Sequence, residues 1–305
     1  MRLKNEALVR DILDNPVKYA RALGFTLLSE IHNVWLRKML LCLIDFTLLA
    51  HRGSYKTTCV SVALSFLIIL RPDQVIFFLR KTDDDVIEII SQVKKLLETD
   101  LMQAIVYDIY GVYFEFDVCS SYKISTNLAC SVRGQVQLQG MGLNGSLTGK
   151  HADIIFTDDI VNVKDRISRA EREQTKRQYM ELQNIKNRGG RIVNTGTPWH
   201  KEDAISTLMP NIHKFNVYDT GLITVDQQQQ LRASMSPSLY AANYELQHIA
   251  SDDALFGPPQ FYAGPAADIH NGRAHIDAAY GGSDYTALTI LTRKPGGGYI
   301  GYGKL

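Results

Sequence analysis

The sequence has few cysteines, four in 305 residues. They are Cys42, Cys59, Cys119 and Cys130. None lies in a CxxC pair and no histidine stands at a spacing that suits zinc, so the pattern argues against a zinc site and a disulfide framework. The sequence also lacks an excess of one charge, since 33 lysines and arginines face 32 acidic residues. This balance excludes a histone-like polycation but leaves room for a local basic surface.

Long apolar runs are absent as well. The two most apolar stretches, Met39–Ala50 and Val62–Leu70, are shorter than the roughly 20 residues that a membrane helix needs. The beginning of the chain, residues 1–16, is charged throughout and has no apolar segment typical of an export signal. The sequence therefore predicts no membrane segment, and we interpret both stretches as parts of the core of a cytosolic protein.

What the sequence does contain is a recurring order of strand, turn and helix, which predicts an α/β fold with a mostly parallel sheet. A capping box, Ser168 with Glu171, is expected to begin one of the helices. The predicted elements are a helical lead-in over 1–40; strands over 41–50, 75–80, 153–159 and 191–194; helices over 56–70, 82–99 and 168–190; β-like pieces over 112–116, 122–126 and 132–138; and C-terminal strands over 273–279, 286–293 and 299–302.

A phosphate-binding loop is predicted where the first strand meets its helix. Its residues are Arg52, Gly53, Ser54, Tyr55, Lys56, Thr57 and Thr58. Backbone N–H groups before a helix N-terminus bind anions; Lys56 would reach the phosphates and the Thr57 hydroxyl would ligate Mg²⁺. The usual pattern is G-x-x-x-x-G-K-[ST], and here Ala50 and Tyr55 replace its two glycines. An ordinary strand–turn–helix connection is the alternative.

Two acids at the end of a later strand favour the phosphate loop. Asp158 stands 101 residues after Thr57 and is followed by Asp159. In ATPases of this kind one acid holds the Mg²⁺ shell and the next polarises the attacking water. The second acid is usually Glu, and the shorter Asp159 would place its carboxylate about 1.5 Å back, a displacement that can cost on the order of 100-fold in rate. The alternative is a pair that only begins a turn or caps a helix.

A third motif, Thr195, Gly196 and Thr197, follows the next strand. Small hydroxyl residues at a strand end can sense a γ-phosphate, although such a tripeptide alone is only a turn.

In combination these segments resemble the large terminase subunit, the DNA-packaging motor and nuclease of tailed double-stranded DNA bacteriophages. The matching segments are 52–58, 147–161, 168–172, 190–200 and 242–247 followed by 255–256. The resemblance spans nearly the whole chain. It implies a RecA-like P-loop ATPase domain over 1–219, a linker over 220–265 and the first strands of an RNase H-like nuclease domain over 266–305.

The resemblance also implies ATP and Mg²⁺ as ligands. It assigns Lys56 and Thr57 to the triphosphate and Mg²⁺, Asp158 to Mg²⁺ and Asp159 to the water. Thr195, Gly196 and Thr197 would form a coupling motif. Arg52 matches a charge-sensing arginine of some family members, or it pairs with a nearby acid instead. Residues 31–35 would contact adenine, or they are part of a plain amphipathic helix.

For the nuclease, the resemblance implies that Asp277 is the first carboxylate of a divalent-metal site. Two-metal cleavage needs several converging carboxylates. Since the chain stops at Leu305, we expect an incomplete nuclease site and a truncated or split gene product. Asp284 is interpreted as a turn residue.

The partners implied by the resemblance are double-stranded DNA, a small terminase subunit and the portal or prohead, on which the chain would form a homo-oligomeric ring in the host bacterial cytoplasm. Nine basic residues between Lys164 and Arg191 could follow DNA phosphates, but a solvated helix face explains them as well.

Two other functions stay open. One is another RecA-like helicase or translocase, although residues 220–305 are too short for a second RecA-like domain. The other is a nucleotide-binding remnant that does not hydrolyse ATP and acts as an assembly module; Tyr55, Asp159 and the abrupt end motivate it.

Overall fold

The computed structural model describes residues 4–130, 134–247, 271–278, 286–293 and 298–304. The chain divides into two units, residues 1–250 and 251–305, which are taken separately below.

The first unit begins with helices, as predicted for the lead-in. They are α1 (Glu6–Asp14), α2 (Pro16–Ala22) and α3 (Glu30–Leu41). The Asn5 side chain caps α1 by accepting a hydrogen bond from the Leu8 amide, and Pro16 starts α2, where no N–H is needed. Because Leu36, Met39 and Leu40 continue the buried face of α3, Leu41 is still helical. The prediction of a strand from residue 41 was therefore wrong at its beginning.

An eight-stranded sheet forms the centre of this unit. Its strands are β1 (Phe46–Ala50), β2 (Ile76–Arg80), β3 (Phe116–Cys119), β4 (Lys123–Thr126), β5 (Leu138–Gly142), β6 (Ala152–Asp158), β7 (Lys186–Gly196) and β8 (Ile212–Phe215), in the order β3-β4-β5-β2-β6-β7-β1-β8. The six strands from β5 to β8 are parallel, and β4 and β3 add an antiparallel edge. The predicted α/β fold with a mostly parallel sheet, as expected of a RecA-like core, is confirmed.

Helices pack on this sheet. They include α4 (Lys56–Leu70), α5 (Asp83–Leu97) and α6 (Asp100–Tyr110). Most of α4 is buried, which explains why its sequence is apolar on every side. Thr82 caps α5 by accepting from the Asp85 amide, as the sequence predicts. The prediction missed α6, although Thr99 caps its start and Gly111 ends it in the left-handed conformation.

The position of β5 corrects the predicted strand over 132–138. β5 begins at Leu138, where the predicted strand ends, and includes Gly140 and Gly142. A Cβ atom at Gly140 would lie 2.4 Å from Cγ1 of Val86, and one at Gly142 would lie 2.8 Å from the Asp83 amide nitrogen. Both glycines are needed because α5 packs directly on the strand. Similarly, β3 begins at Phe116, where the sequence predicted a strand to end.

We therefore expect Gly140→Ala to lower the free energy of unfolding by about 1–3 kcal/mol, because the added methyl overlaps Val86. Urea denaturation followed by circular dichroism measures the change. The additional substitution Val86→Ala makes room for the methyl, so the double variant should lose less stability than the two single variants together. An unchanged midpoint for Gly140→Ala would contradict this packing.

Between residues 159 and 247 the chain forms β7, β8 and a series of mostly short helices. Its helices are α7 (Val163–Ile167), α8 (Arg169–Ile185), α9 (Ala204–Thr207), α10 (Val217–Thr220), α11 (Val225–Ala233), α12 (Pro237–Tyr240) and one π-helical turn (Ala241–Glu245). Ser168 caps α8 through the Glu171 amide, whereas the Glu171 carboxylate lies 3.4 Å from Nζ of Lys81. Helix α8 ends at Ile185, earlier than predicted, because β7 already begins to pair with β6 at Lys186. The glutamines 227–230 lie mostly exposed on α11, as expected.

The second unit contains an antiparallel three-stranded sheet of β9 (Arg273–Asp277), β10 (Ala287–Arg293) and β11 (Tyr299–Lys304), with β10 in the centre. The three predicted strands are confirmed, while Asp284 and the linker residues 256–260 lie outside the described residues. Residues 220–247 of the predicted linker contain α11, α12 and the π-helical turn and lie in the first unit. The nuclease domain stays a prediction.

Of the helices that the structure describes, none has the length and hydropathy to cross a bilayer.

Candidate nucleotide-binding site

The predicted site residues meet at the carboxyl edge of the parallel sheet. Strands β1, β2, β6 and β7 run in the same direction and end at Ala50, Arg80, Asp158 and Gly196. The loop 51–55 leaves β1 at this edge and leads into α4. Ligands of open α/β sheets bind at this edge, so the fold itself places the motifs in a suitable position.

The loop makes a tight turn before α4. Gly53 has φ +78° and Tyr55 has φ +59°, both in the left-handed region, and Lys56 is the first residue of the helix. For a residue with a Cβ this conformation costs about 1–2 kcal/mol. Tyr55 therefore adopts the backbone conformation that a glycine would take at this position without strain.

Two buried histidines hold the loop from both sides. Nδ1 of His32 accepts from the Ser29 amide at 2.8 Å, so the neutral ring carries its proton on Nε2, which donates to the Ser54 carbonyl at 3.0 Å. Nε2 of His51 lies 2.7 Å from the Thr220 hydroxyl. The backbone N–H of Arg52 donates to the Asn243 carbonyl at 2.8 Å. Helix α3 and the segment around 220–243 thus fix the shape of the loop.

The burial of His32 predicts a dependence of stability on pH. Burial is the main cause that lowers the pKa of His32 below its usual value of 6.5. Below pH 6.5 the unfolded chain takes up a proton that the folded ring does not, so stability should fall as the pH drops, by at most about 1.4 kcal/mol per pH unit for one histidine.

The variant His32→Gln should therefore lose less stability than the wild type between pH 6.5 and 5, measured by urea denaturation at each pH. The exposed His151, replaced in the same way, serves as the control. A wild-type profile that His32→Gln leaves unchanged would show that this ring is not the titrating group.

The acids of β6 face the start of α4. The Thr57 hydroxyl donates to Oδ2 of Asp158 at 3.1 Å, and Nζ of Lys56 lies 3.3 Å from Oδ1 of Asp159. Asp158 is completely buried, whereas about a third of the Asp159 side chain is exposed. Residues that are 101 and 103 positions apart in the chain are therefore in direct contact.

The third predicted motif lies beside the acids because β7 is the neighbour of β6. The Thr195 hydroxyl donates to Oδ1 of Asp158 at 2.6 Å, and its carbonyl accepts from the Asp159 amide at 3.0 Å. Gly196 lies close to the Asp159 carboxylate, since a Cβ atom on it would be 3.8 Å from Oδ1. Thr197 is buried. Thr195 is thus in direct contact with both acids.

Arg80 also lies at the site, although no sequence motif marks it. Its Nε lies 3.2 Å from Oδ2 of Asp158, and its Nη2 lies 3.8 Å from Oδ2 of Asp159. A usable signal was present, because Arg80 ends a predicted parallel strand and therefore had to lie at the same edge as the acids.

Burial and the neighbouring charges shift the pKa of Asp158 in opposite directions. Burial raises the pKa of the Asp158 carboxyl, and the neighbouring charge of Asp159 raises it further. The positive charges of Arg80 and Lys56 and the hydrogen bond from Thr195 lower it. The Asp158 carboxylate thus depends on nearby cations to stay ionised.

A cleft of about 380 Å³ opens over the loop. It is lined by residues 51–58 and Asp159. Arg52 is exposed in its wall, whereas the Ser54 hydroxyl is buried and has no hydrogen-bond partner among the residues that the structure describes. A buried hydroxyl without a partner is costly, and a ligand oxygen in the cleft would satisfy it.

No family model matches the chain, and no curated protein matches it either. Several solved structures are similar to it. The large terminase from a thermophilic bacteriophage in complex with ADP has a TM-score of 0.49 at 11% identity, over 88% of this chain and 67% of that one. The HK97 bacteriophage large terminase has a TM-score of 0.49 at 11% identity, over 90% of this chain and 62% of that one. The large terminase ATPase domain of a Thermus phage has a TM-score of 0.43 at 12% identity, over 68% of this chain and 89% of that one. At these identities the similarity concerns the fold.

An apolar pocket of about 160 Å³ adjoins the cleft. It is lined by residues 24–28, Tyr55 and Thr58, so it shares two residues with the loop. The segment 31–35, which the resemblance assigned to adenine, instead contributes His32 and Trp35 to the interior, where Trp35 packs on the ring of Phe215. A role of residues 31–35 in contacting adenine stays a prediction.

Several of the basic residues between 164 and 191 have partners within the fold. Nη1 of Arg172 donates to the Asp165 carbonyl, Lys176 pairs with Glu173, Lys186 with Asp45, and Arg191 donates to the carbonyls of Met39 and Leu40. These contacts support the interpretation of this region as a structural surface, and a role in DNA binding stays a prediction.

Asp277 is the last residue of β9 and is exposed, opposite Ala287 of β10. Among the residues whose placement is described, no three metal-ligating side chains of His, Cys, Asp or Glu come together. A metal site at Asp277 therefore stays a prediction.

Proposed function

We propose that the chain is an ATPase that binds ATP with Mg²⁺ at Arg52–Thr58. The observation that carries this proposal is the convergence of two separate motifs: the Thr57 hydroxyl lies 3.1 Å from Asp158 and Nζ of Lys56 lies 3.3 Å from Asp159. Lys56, Thr57 and Asp159 line the same cleft.

The loop provides the groups that a triphosphate needs. The N-terminus of α4 offers free N–H groups and the positive end of its dipole. The Lys56 ammonium would exchange Asp159 for the phosphates, and the Ser54 hydroxyl would donate to a phosphate oxygen. Arg52, exposed in the wall of the cleft, would add a further positive charge.

The residues present also suit Mg²⁺. A hydroxyl and a carboxylate 3.1 Å apart, Thr57 and Asp158, provide the oxygen donors that this ion prefers, with water and phosphate oxygens completing its shell. When bound, Mg²⁺ would neutralise negative charge on the phosphates. Asp158 is held in one orientation for this task by Thr195.

Asp159 is the residue we assign to the attacking water. Its carboxylate lines the cleft and would lose its contact with Lys56 when that lysine turns to the phosphates. The Asp159 amide donates to the Thr195 carbonyl. Loss of the γ-phosphate would therefore change the position of Thr195, Gly196 and Thr197, and with it the end of β7.

We further propose that hydrolysis drives the packaging of double-stranded DNA into a capsid. This step is supported by the sequence resemblance alone, as are the small terminase subunit, the portal and a homo-oligomeric ring as partners and the host cytoplasm as the location. A motor that moves DNA of any sequence is expected to contact phosphates rather than bases.

A second candidate is a nucleotide-binding module without turnover. The strained conformation of Tyr55 and the short acid at 159 favour it. Both leave the binding residues intact while they impair the geometry of the reaction.

Calorimetric titration with ATPγS and measurement of phosphate release from ATP, with Mg²⁺ or with EDTA and with or without duplex DNA, separate these candidates. Mg²⁺-dependent release that DNA stimulates supports the motor. Tight binding without release supports the module, and the absence of binding refutes both.

A further inference from the structure

We infer that Arg80 is a positioning residue for ATP hydrolysis, which holds the carboxylates of Asp158 and Asp159 in place once Lys56 has turned to the phosphates. The inference rests on the proposed ATPase function and adds a residue that no motif of the sequence contains.

The first support is the register of the sheet. β2 and β6 are parallel neighbours, and Leu79 pairs with Thr157. Arg80 and Asp158 are the next residues on each strand, so their side chains leave the sheet at the same edge. Position in the fold, rather than a flexible surface contact, brings them together.

The second support is the geometry of the guanidinium. Nε is 3.2 Å from Asp158, Nη2 is 3.8 Å from Asp159, and only 13% of the side chain is exposed. The planar fork of an arginine can span two carboxylates in this way, whereas the single ammonium of a lysine cannot.

The third support is the set of contacts that fix the chain at Arg80 and Lys81. The Arg80 carbonyl accepts from the Leu143 amide at 2.9 Å. The next residue, Lys81, has its Nζ 3.0 Å from the buried Asp165 and 2.9 Å from the Thr175 hydroxyl. These contacts fasten the end of β2 to α7 and α8, so Arg80 is a rigid support.

The fourth support is the sharing of cations at the site. In this structure Lys56 and Arg80 both lie against Asp159. A lysine that moves to the phosphates leaves Arg80 as the cation beside two adjacent carboxylates, whose negative charges repel each other. Arg80 is not among the residues that line the cleft, so it acts on the acids rather than on the nucleotide.

The test compares kcat and KM for ATP in the wild-type chain, Arg80→Met and Arg80→Lys, with Arg10→Met on the exposed face of α1 as the matched control. We expect Arg80→Met to lower kcat about 100-fold, because displacements near 1 Å have effects of that size, with KM changed less than about 3-fold. Arg80→Lys keeps the positive charge but not the planar fork, so its kcat should lie between those of the wild type and Arg80→Met. Arg10→Met should have the kcat and KM of the wild type.

Several outcomes would overturn the inference. One is a wild-type kcat in Arg80→Met. Another is a rise in the KM of Arg80→Met at constant kcat, which would make Arg80 a nucleotide ligand instead. Should the Met variant fail to fold, judged by its thermal transition, a wild-type kcat in Arg80→Lys has the same consequence. A wild-type chain that binds ATPγS but releases no phosphate refutes the ATPase itself, and the inference falls with it.

Discussion

Replacing Lys56 by alanine is expected to abolish ATP turnover, with a fall in kcat/KM of about 10³-fold or more. The ammonium is the charge that the loop offers to the phosphates, and one preorganised donor at a site of developing charge is worth about 10²–10³ in rate. Lys56→Ala also removes charge-assisted hydrogen bonds of about 1.5–3 kcal/mol each, so ATPγS binding should weaken at least about 10-fold. Phosphate release and calorimetric titration measure the two effects.

The fold should survive this substitution. Lys56 is the first residue of α4, where alanine is an excellent helix former, and Asp159 keeps Arg80 as a neighbour at 3.8 Å. The matched control is Lys95→Ala on the exposed face of α5, which should hydrolyse ATP like the wild type. Undiminished turnover in Lys56→Ala would refute the assignment of the loop.

The elements around the loop could be predicted closely from the sequence. Helix α4 has the predicted bounds, Lys56 to Leu70, because a turn precedes it and Pro72 follows it shortly. The strands β2 and β6 were recognised as short apolar runs that end in charged residues. In each case the local sequence and the burial in the sheet favour the same structure.

The errors arose where packing between distant segments decides the structure. The predicted strand over 132–138 ends where β5 begins, because β5 contains Gly140 and Gly142, which strands usually avoid but which α5 requires here since it leaves no room for a Cβ atom. The length of α8 was overestimated because the pairing of Lys186 with β6 ends the helix before its glycines are reached. Neither contact is visible in the local sequence.

The candidate site shows the same division. Lys56, Thr57, Asp158 and Asp159 follow from motif spacing, and the parallel sheet brings them into contact as the spacing requires. The supports of these residues do not follow from a motif: His32 and His51 hold the loop by contacts that span 22 and 169 residues. Only the fold shows which histidines serve this purpose.

Replacing Asp159 by asparagine is expected to lower kcat by about 10²–10⁴-fold, the usual contribution of a general base, while ATPγS still binds. Asparagine keeps the size of the side chain but cannot accept a proton from the attacking water. Because the amide no longer pairs with Lys56 as an ion, the lysine is freer for the phosphates, so binding should be unchanged or tighter. Single-turnover phosphate release and titration with ATPγS separate the two effects.

The length of the acid is tested by Asp159→Glu, the matched variant that keeps the charge. Asp159 has φ +48°, a left-handed conformation that its amide contact with the Thr195 carbonyl holds in place, so the backbone cannot move forward to compensate for a short side chain. If reach limits the reaction, glutamate should match or exceed the wild-type kcat while asparagine stays inactive. Equal loss in both variants would mean that the site is built for aspartate, and a wild-type rate in Asp159→Asn would transfer the role of the base to another group.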